Sequence, residues 1–530
     1  MEEISLSPTY DVVIIGGGHN GLTAAAYLAK ANLSVLVLER LESTGGAAVS
    51  VAAFDGCDAH LSRYSYLVSL MPKQIIEDLG LKIELVRRRY SSYTPVPGYL
   101  EDRGLLIDKL DEGATRASFS RIGAESDFES FNALYQDTTK VAQAIWPTVT
   151  EPLITRSQAK ARLGDDALWH AVFEEPIRKF IETRLSHDLV RGVALTDAVI
   201  GTFGDTDDPL AENRCFLYHV IGGGTGDWDV PVGGMGHVSQ QLADAASRAG
   251  AVIMTGAEVS SVNVDGTVRF VVDGVENAAT GRRVLSNVAP HVLHDLMEKS
   301  SIPGEELRPE GSQVKMNLLL KRLPKLRDKM VSPEAAFGGT FHINERYDQL
   351  SKAHKQALAG TIPNPLPCEV YCHSLSDASI LGRELVNSGA HTLTLFGLHV
   401  PNRLITAENN EAQRTKLQRA AIDSLNSVLA ESIEDLLIVD AHGQPCIETK
   451  TTRDIELALN MPGGNIFHGP LSWPFLEDDY TPTTPAERWG VETGYGERIL
   501  MCGSGARRGG AVSGIGGHNA AMAVLDSISR

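Results

Sequence analysis

Three glycines and one acid near the start of the chain have the types and spacing of a site for a dinucleotide phosphate. Gly16, Gly18 and Gly21 fit the pattern G-x-G-x-x-G, and Glu39 follows 18 residues after Gly21. The first glycine allows a tight turn, the second lets the backbone approach a pyrophosphate, and the third lets a helix pack closely on a strand. The acid accepts hydrogen bonds from ribose hydroxyls and repels a 2′-phosphate.

The segments around this loop predict the elements that position it. Residues 11–15 form a continuous apolar run typical of a strand buried on both faces, and residues 21–31 form an Ala-rich stretch that predicts a helix. Residues 34–38 predict a second buried strand that ends at Glu39. The helix N-terminus offers unpaired N–H groups to the phosphates. Strand, loop, helix and strand therefore predict a Rossmann-like unit.

A second glycine pair indicates which dinucleotide is bound. Gly45 and Gly46 follow six residues after Glu39, in the run Glu39-Arg40-Leu41-Glu42-Ser43-Thr44-Gly45-Gly46-Ala47. An NAD domain does not need this pair. The run resembles the extended motif of FAD enzymes of the glutathione-reductase and amine-oxidase type, in which the second pair lies along the same pyrophosphate. The resemblance implies FAD, bound non-covalently.

The last forty residues contain a second strand, glycine loop and helix. Residues 498–502 predict a buried strand, residues 503–517 include seven glycines, and residues 518–525 predict a helix. A loop this rich in glycine lets backbone N–H groups approach a flat ring or a phosphate. The N-terminus of a helix favours the negative charge that a reduced flavin carries.

Residues 498–521 resemble the C-terminal signature of the phytoene-desaturase-like flavoproteins, most closely their phytoene-dehydrogenase-related subgroup. Residues 231–236 with 257–259, 285–290 and 465–469 resemble other FAD-contacting segments of that family. The resemblance implies that the backbone of Val259 meets the adenine. Together the motifs and the resemblance assign thirteen residues to the cofactor, namely Gly16, Gly18, Asn20, Gly21, Glu39, Arg40, Gly45, Gly46, Ala47, Val259, Gly503, Gly510 and Val512.

Two residues are candidates for catalysis. Where the family has a His-Pro-Gly-Gly-Gly stretch, this chain has Arg507-Arg508-Gly509-Gly510-Ala511, so Arg507 replaces the family's flavin-side histidine. A permanent cation there would stabilise an anionic reduced flavin. His60 follows the second glycine pair, in a stretch that in this superfamily passes near the flavin or the substrate.

The fold class that these patterns predict is α/β, with a Rossmann-like FAD-binding domain assembled from discontinuous segments and an inserted α+β substrate domain. We expect the FAD-binding domain at 1–90, 231–310 and 481–530, and the substrate domain at 91–230 and 311–480. A chain of 530 residues is long enough for more than one domain.

Other motifs are weaker. Residues 222–226 form a second glycine run, but Pro231 follows where a nucleotide-binding helix would start. Cys368 and Cys372 are interpreted as core thiols of a strand, and Cys57 has no cysteine near it in the sequence. His291 and His294 have helical spacing but lack H-E-x-x-H, so no metal site is predicted.

Composition limits the partners. The chain has 67 Asp and Glu against 48 Lys and Arg, a net charge of −19, which disfavours nucleic acid. No stretch predicts a transmembrane segment, and the acidic N-terminus lacks the features of a leader, so we expect the cytoplasm. Peripheral contact with a membrane and the oligomeric state are left open.

The sequence therefore predicts an FAD-dependent oxidoreductase that removes hydride from a C–H bond of an apolar small molecule, an isoprenoid-like compound being one candidate. The reduced flavin would pass its electrons to O₂ or to a quinone-like carrier. Two alternatives stay open: a flavin-dependent cis–trans isomerase of polyenes, and a non-catalytic FAD-bound partner protein.

Overall fold

Two large β-sheets organise the protein. A computed structural model describes residues 8–96, 103–208, 211–297 and 308–528. The strands of the described chain are β1 Thr9–Ile15, β2 Val35–Leu38, β3 Ser50–Ala52, β4 His60–Ser62, β5 Leu85–Val86, β6 Tyr90–Val96, β7 Arg103–Asp108, β8 Val230–Pro231, β9 Val252–Met254, β10 Glu258–Val262, β11 Thr267–Val272, β12 Val275–Ser286, β13 Ser312–Leu320, β14 Thr340–Ile343, β15 Cys368–Tyr371, β16 His391–Pro401, β17 Ile447–Lys450 and β18 Ile499–Met501.

Helices connect and cover these strands. In chain order they are α1 His19–Lys30, α2 Lys73–Asp78, α3 Glu112–Arg121, α4 Phe128–Ile145, α5 Arg156–Leu163, α6 Asp166–Phe173, α7 Ile177–Glu182, α8 Asp188–Val199, α9 Ala211–Val220, α10 Gly234–Arg248, α11 Pro290–Leu296, α12 Pro333–Phe337, α13 Tyr347–Leu358, α14 His373–Ser376, α15 Arg383–Ser388, α16 Asn410–Val428, α17 Thr452–Leu459, α18 Pro485–Trp489 and α19 Ile515–Ile528. No helix of the described residues is long and apolar enough to cross a membrane.

The first sheet has a doubly wound parallel core. Its parallel strands lie in the order β9-β2-β1-β12-β18. The chain enters at β1, moves outward through β2 to β9, and returns to the other side of β1 through β12 and β18. This reversal creates a switch point beside β1, where α/β proteins bind ligands outside the carboxyl ends of the strands. The predicted strands and the α/β fold class are confirmed.

An antiparallel extension and three helices complete this half of the protein. The first half of β12 pairs with β11, which pairs with β10. Helix α1 packs between α10 and α19. A Cβ atom at Gly517 would lie 2.0 Å from the carbonyl oxygen of Asn20, so the glycine is required for the close approach of α19 to α1.

The second sheet has the order β17-β13-β16-β15-β14-β6-β7 and is antiparallel except for the β14–β6 pair. The long helix α16 packs on one part of it, while the helices between residues 112 and 220 form a separate helical layer. Strands 6 and 7 come from the first half of the chain and the others from the second half. The sheet therefore joins two segments that are far apart in sequence.

The hydrophobic clusters follow the same division. One cluster contains buried residues of the parallel sheet and its helices, drawn from residues 10–81, 235–297 and 486–524. A second cluster lies among the helices of residues 105–221 and includes Trp473 and Phe475, and a third lies under the second sheet. The domain boundaries drawn from the sequence stay a prediction.

The structure also places the minor motifs. Gly222–Gly224 forms a short 3₁₀ turn that follows a helix, α9, rather than a strand. Cys368 and Cys372 are free and buried, as expected. Cys57 does have a partner in space, because its Sγ atom lies 3.7 Å from Sγ of Cys446. Nδ1 of His294 lies 2.8 Å from the hydroxyl of Tyr495.

Candidate active site

One large cavity joins the glycine loop to the second sheet. Its volume is about 980 Å³, at the upper end of the range typical of ligand sites. Gly16, Gly18 and Glu39 line one end, and side chains of the substrate half line the other. A cofactor bound at the loop would therefore share the cavity with a substrate.

The glycine loop connects β1 to α1. Gly16 has φ of +95°, a conformation that residues with a side chain rarely adopt. A Cβ atom at Gly18 would lie 2.9 Å from Nδ2 of Asn287, and one at Gly21 would lie 2.3 Å from the carbonyl oxygen of Gly16. Asn287, which follows β12, donates from Nδ2 to that same carbonyl at 2.9 Å. The loop thus has no room for side chains.

Glu39 stabilises the loop and faces the cavity. The N–H of Gly17 donates to Oε2 of Glu39 at 2.7 Å, and the N–H of Leu41 donates to Oε1 at 2.9 Å. The carboxylate is buried and lines the cavity at the carboxyl end of β2. Its remaining acceptor positions are available to ribose hydroxyls.

The second glycine pair lies against the first loop. The N–H of Gly45 donates to the carbonyl of Gly17 at 2.8 Å, and Gly46 and Ala47 line the cavity. Arg40, Val259 and Val512 line it as well, and Arg40 also donates to the carbonyl of Ala458 at 3.0 Å. Eight of the thirteen predicted cofactor residues therefore border one cavity, namely Gly16, Gly18, Glu39, Arg40, Gly46, Ala47, Val259 and Val512.

The other five predicted cofactor residues are not among those that border the cavity. Gly21 and Gly45 support the loop through the backbone contacts given above. Gly503 packs on the chain after β12, since a Cβ atom there would lie 2.7 Å from the carbonyl oxygen of Asn287. Gly510 has φ of +97°, a backbone conformation that residues with a side chain rarely adopt. The side chain of Asn20 is buried, and neither its nitrogen nor its oxygen has a hydrogen-bond partner.

These features fit FAD. The loop presents the N-terminus of α1 to a phosphate, and Gly16, Gly18 and His19 border the approach. The acid after β2 suits a ribose without a 2′-phosphate. The unpaired amide of Asn20, beside the loop, is a buried polar group that a bound ligand could satisfy.

His60 does not join this cavity. It lies in β4, which pairs with β3 in a small hairpin, and 56% of its side chain is exposed. Its Nε2 atom lies 3.5 Å from Oδ1 of Asp58, itself exposed. The catalytic role predicted for His60 is therefore not supported, because the hairpin directs the side chain to solvent.

Arg507 is also directed away from the cavity. Its guanidinium donates to the carbonyl of Phe475 at 3.2 Å and lies 3.9 Å from Oε1 of Glu492. The residues of this loop that do border the cavity are Ser504, Ala511 and Val512. The flavin-side role predicted for Arg507 is therefore not supported by its position.

Arg508, the neighbour of Arg507, holds three segments together. It is 1% exposed, and its guanidinium donates to the carbonyls of Thr148 and Glu151 at 2.7 and 2.5 Å and to that of Trp489 at 3.0 Å. Burial lowers its pKa to about 10. If Arg508 were replaced, each of these three carbonyls would lose a hydrogen bond from a charged donor.

Substitution of the two neighbouring arginines is expected to change the stability of the protein by very different amounts. Arg508→Met should lower the free energy of unfolding by about 2–4 kcal/mol, because hydrogen bonds from a charged donor contribute ~1.5–3 kcal/mol each and are only partly additive. Arg507→Ala should change it by under about 1 kcal/mol and leave the flavin midpoint potential unchanged. Urea unfolding of both variants checks the contrast. Equal destabilisation would contradict these contacts.

Two histidines that line the cavity were not among the site residues predicted from the sequence. His19 opens α1 and its Nε2 atom lies 3.1 Å from the carbonyl oxygen of Ala511, while His468 has φ of +64°. Burial lowers the pKa of each to about 4, and the imidazole of His468 adds to the shift of His19. Both are therefore neutral at pH 7. The contact of His19 with Ala511 joins positions 492 residues apart along the chain.

The burial of His468 predicts a pH dependence of stability. An unfolded histidine binds a proton near pH 6.5, whereas folded His468 does so only near pH 4. The free energy of unfolding should therefore fall as the pH drops from about 6.5 to 4. His468→Asn, which tolerates positive φ, should make this fall smaller, while His60→Asn at the surface should not. Identical pH profiles for all three proteins would contradict the burial of His468.

Lys315 is the most unusual missed residue. It lies in the fully buried strand β13, is 2% exposed, and lines the cavity. Its Nζ atom has no hydrogen-bond partner and lies 3.6 Å from the centroid of the Tyr66 ring. Burial holds the pKa of Lys315 well below its usual value. A lone charge inside the apolar run 314–320 was the signal that could have revealed it.

Buried acidic side chains also line the cavity. Asp197 of α8 and Glu369 of β15 line the cavity, and burial raises the pKa of each to about 7. The hydroxyl of Tyr371 donates to Oε2 of Glu369 at 2.5 Å. Arg88, also on the wall, donates to the carbonyl of Trp228 at 3.1 Å instead of pairing with these acids.

The remaining wall is mostly apolar. The side chains that form it come chiefly from α4, α8 and the segment after α17, and include Phe131, Tyr135, Val193, Ile200, Phe396, Ile466 and Phe467. A substrate there would lose contact with water over most of its surface.

Comparisons with known proteins agree with this fold. A family described as NAD(P)-binding Rossmann-like domain matches residues 14–73. The Mycobacterium tuberculosis protein Rv0897c is 53% identical over 97% of both chains. Mouse pyridine nucleotide-disulfide oxidoreductase domain-containing protein 2 is 29% identical over 99% of this chain and 95% of its own. The structure of cyclohexylamine oxidase from Brevibacterium oxydans IH-35A superposes with a TM-score of 0.53 at 15% identity, over 99% of this chain and all of the other.

The likeness to cyclohexylamine oxidase covers 99% of this chain, so the two proteins share their overall fold. Together with the glycine loops and Glu39, it supports FAD as the cofactor and an FAD-dependent oxidoreductase as the enzyme class, as the sequence predicts.

Proposed function

The chain belongs to the family of the Mycobacterium tuberculosis protein Rv0897c, and from this premise we propose that it is an FAD-dependent dehydrogenase or oxidase that removes hydride from a C–H bond of a largely apolar small molecule. An isoprenoid-like compound is the first candidate, which follows the resemblance of residues 498–521 to phytoene-desaturase-like proteins. The acceptor of the electrons would be O₂ or a quinone-like carrier, and the six free cysteines support a reducing compartment such as the cytoplasm.

The observation that carries the proposal is the continuity of the cavity. Gly16, Glu39 and Val259 of the dinucleotide end share it with Phe131 and Val193 of the apolar end. Such continuity is what a redox cofactor needs in order to meet a substrate carbon.

Bound FAD supplies the ability to accept a hydride; the protein supplies position and surroundings. The apolar side chains of α4 and α8 would orient the substrate and exclude water, which strengthens electrostatic interactions inside. The amine of Lys315, which lies 3.6 Å from the centroid of the Tyr66 ring, adds one polar group to the cavity. The acids near Glu369 would accept hydrogen bonds from a polar group of the substrate.

Anaerobic mixing of the purified protein with a panel of terpenes, carotenoid precursors and amines tests this function. At least one compound should bleach the flavin absorbance and lose 2 daltons. NADH and NADPH are tested separately and should bleach the flavin only slowly. The glycine run at 222–224 follows a helix, whereas a nucleotide-binding loop follows a strand.

A variant that blocks the substrate space provides a second test. Val193→Trp would fill the apolar end of the cavity, and Val439→Trp makes the same change at an exposed site as its control. Val193→Trp should keep FAD and lose bleaching at least tenfold, whereas the control should behave as wild type. A product of unchanged mass would favour the isomerase, and no change in any substrate or flavin would favour the non-catalytic partner; either result would overturn the proposal.

A further inference from the structure

Three buried side chains at the far wall of the cavity bring potential metal-ligand atoms together. Nδ1 or Nε2 of His342 and carboxylate oxygens of Glu345 and Glu369 all lie within 4.8 Å of one another. The three residues are 3%, 0% and 1% exposed. The cluster lies outside the dinucleotide end, and the function proposed above uses only one of its members, Glu369, as a hydrogen-bond acceptor for the substrate.

The fold builds this cluster from adjoining elements. His342 of β14 and Glu369 of β15 are directly paired across the two antiparallel strands. Glu345 follows two residues after β14 ends, and Thr196 reaches the group from α8. Two strands and a helix hold three of the four side chains, and Glu345 lies in the short turn directly after β14, so the fold determines their separations.

The distances match the edges of a coordination octahedron. Nδ1 of His342 lies 3.0 Å from Oε2 of Glu345, and the Thr196 hydroxyl lies 2.9 Å from that oxygen and 3.0 Å from Oε1 of Glu369. Adjacent ligands of an octahedral ion with bonds of about 2.1 Å are about 3.0 Å apart. Ligands on opposite sides of such an ion are about 4.2 Å apart, within the 4.8 Å limit of the cluster.

The protons available leave two atoms of the group unpaired. The single hydroxyl proton of Thr196 can serve only one of the two carboxylates that it contacts, and the hydroxyl of Tyr371 donates to Oε2 of Glu369. Nδ1 of His342 and Oε1 of Glu345 have no hydrogen-bond partner. No Lys or Arg of the described residues forms an ion pair with Glu345 or Glu369, and buried carboxylates without one are normally protonated or bound to a metal.

We propose that His342, Glu345 and Glu369, together with the hydroxyl of Thr196, bind a divalent first-row transition metal ion. A set of one imidazole nitrogen and several oxygens suits Mn²⁺ or Zn²⁺ better than softer ions. His342, Glu369 and Thr196 line the cavity, so one side of the ion would face the substrate space. A carbonyl, hydroxyl or amine group of a substrate could bind there.

Titration of the FAD-loaded protein with Mn²⁺, followed by electron paramagnetic resonance after removal of adventitious metal with a chelator, tests the site. Wild type should bind one Mn²⁺ per chain, and Zn²⁺ should displace it. Glu369→Gln and His342→Gln should each weaken binding at least tenfold. Glu212→Gln is the matched control, because Glu212 is fully buried in α9 with both oxygens unpaired but lies outside the cluster.

FAD content per chain confirms that each variant is folded. Absence of saturable Mn²⁺ binding to wild type up to millimolar concentration, or equal binding by wild type and both cluster variants, would overturn the proposal in favour of a protonated acid group. No substrate enters this measurement, so failure of the proposed function and failure of the metal site are separate results.

Discussion

Gly21→Ala is expected to remove most of the bound FAD. The added Cβ atom would lie 2.3 Å from the carbonyl oxygen of Gly16 and 3.0 Å from Nδ2 of Asn287. Because the first contact is with backbone, α1 or the loop must move. Forced overpacking costs about 1–3 kcal/mol, which corresponds to a roughly five- to two-hundred-fold loss of affinity if the shift distorts the phosphate cradle.

Gly113→Ala is the control for this change. Gly113 lies exposed in α3, has ordinary φ, and a Cβ atom there would meet only Oδ1 of Asp111, at an ordinary contact distance of 3.4 Å. Isothermal titration of the apoproteins with FAD compares the two. Wild-type affinity in Gly21→Ala, or an equal loss in Gly113→Ala, would show that close packing at the loop does not determine cofactor binding.

Lys315→Met is expected to make the protein more stable and its flavin harder to reduce. An unpaired buried amine costs about 1–3 kcal/mol, and methionine fills a similar space without a polar end. Reduction of the flavin adds negative charge to the cavity, which favours protonation of the buried Lys315 amine and so turns it into a source of positive charge. Its loss should lower the midpoint potential, by ~30 mV for each ~1.4 kcal/mol of lost stabilisation.

Thermal unfolding and redox titration measure the two effects, with Lys321→Met as the control. Lys321 follows the same strand, is exposed, and donates to the carbonyl of Asp435 at 3.0 Å. Greater stability with an unchanged potential would mean that Lys315 is too far from the flavin to act on it. Unchanged values of both would contradict its burial.

The sequence was sufficient to predict the phosphate-binding loop, because contacts between residues near one another determine its conformation. A buried parallel strand is a continuous apolar run, and Gly16, Gly18 and Gly21 are required by contacts within a few residues or with one neighbouring strand. Glu39 was predicted because its position at the end of β2 follows from the length of α1 and its turn.

The substrate side could not be predicted in the same way, because long-range contacts determine where its side chains point. Arg507 was expected to face the flavin, but the carbonyl of Phe475, 32 positions earlier, holds its guanidinium elsewhere. His60 depends on how the β3–β4 hairpin turns. Thr196 and Glu369, 173 positions apart, meet only because α8 packs against the second sheet.

Identification of the nucleotide released from the purified protein tests the central claim most directly. Heat or acid denaturation should release one FAD per chain, non-covalently bound, with the absorbance spectrum of an oxidised flavin. Release of NAD or NADP instead, or failure to take up any flavin after incubation with excess FAD, would contradict the assignment of the cavity to an FAD-dependent oxidoreductase.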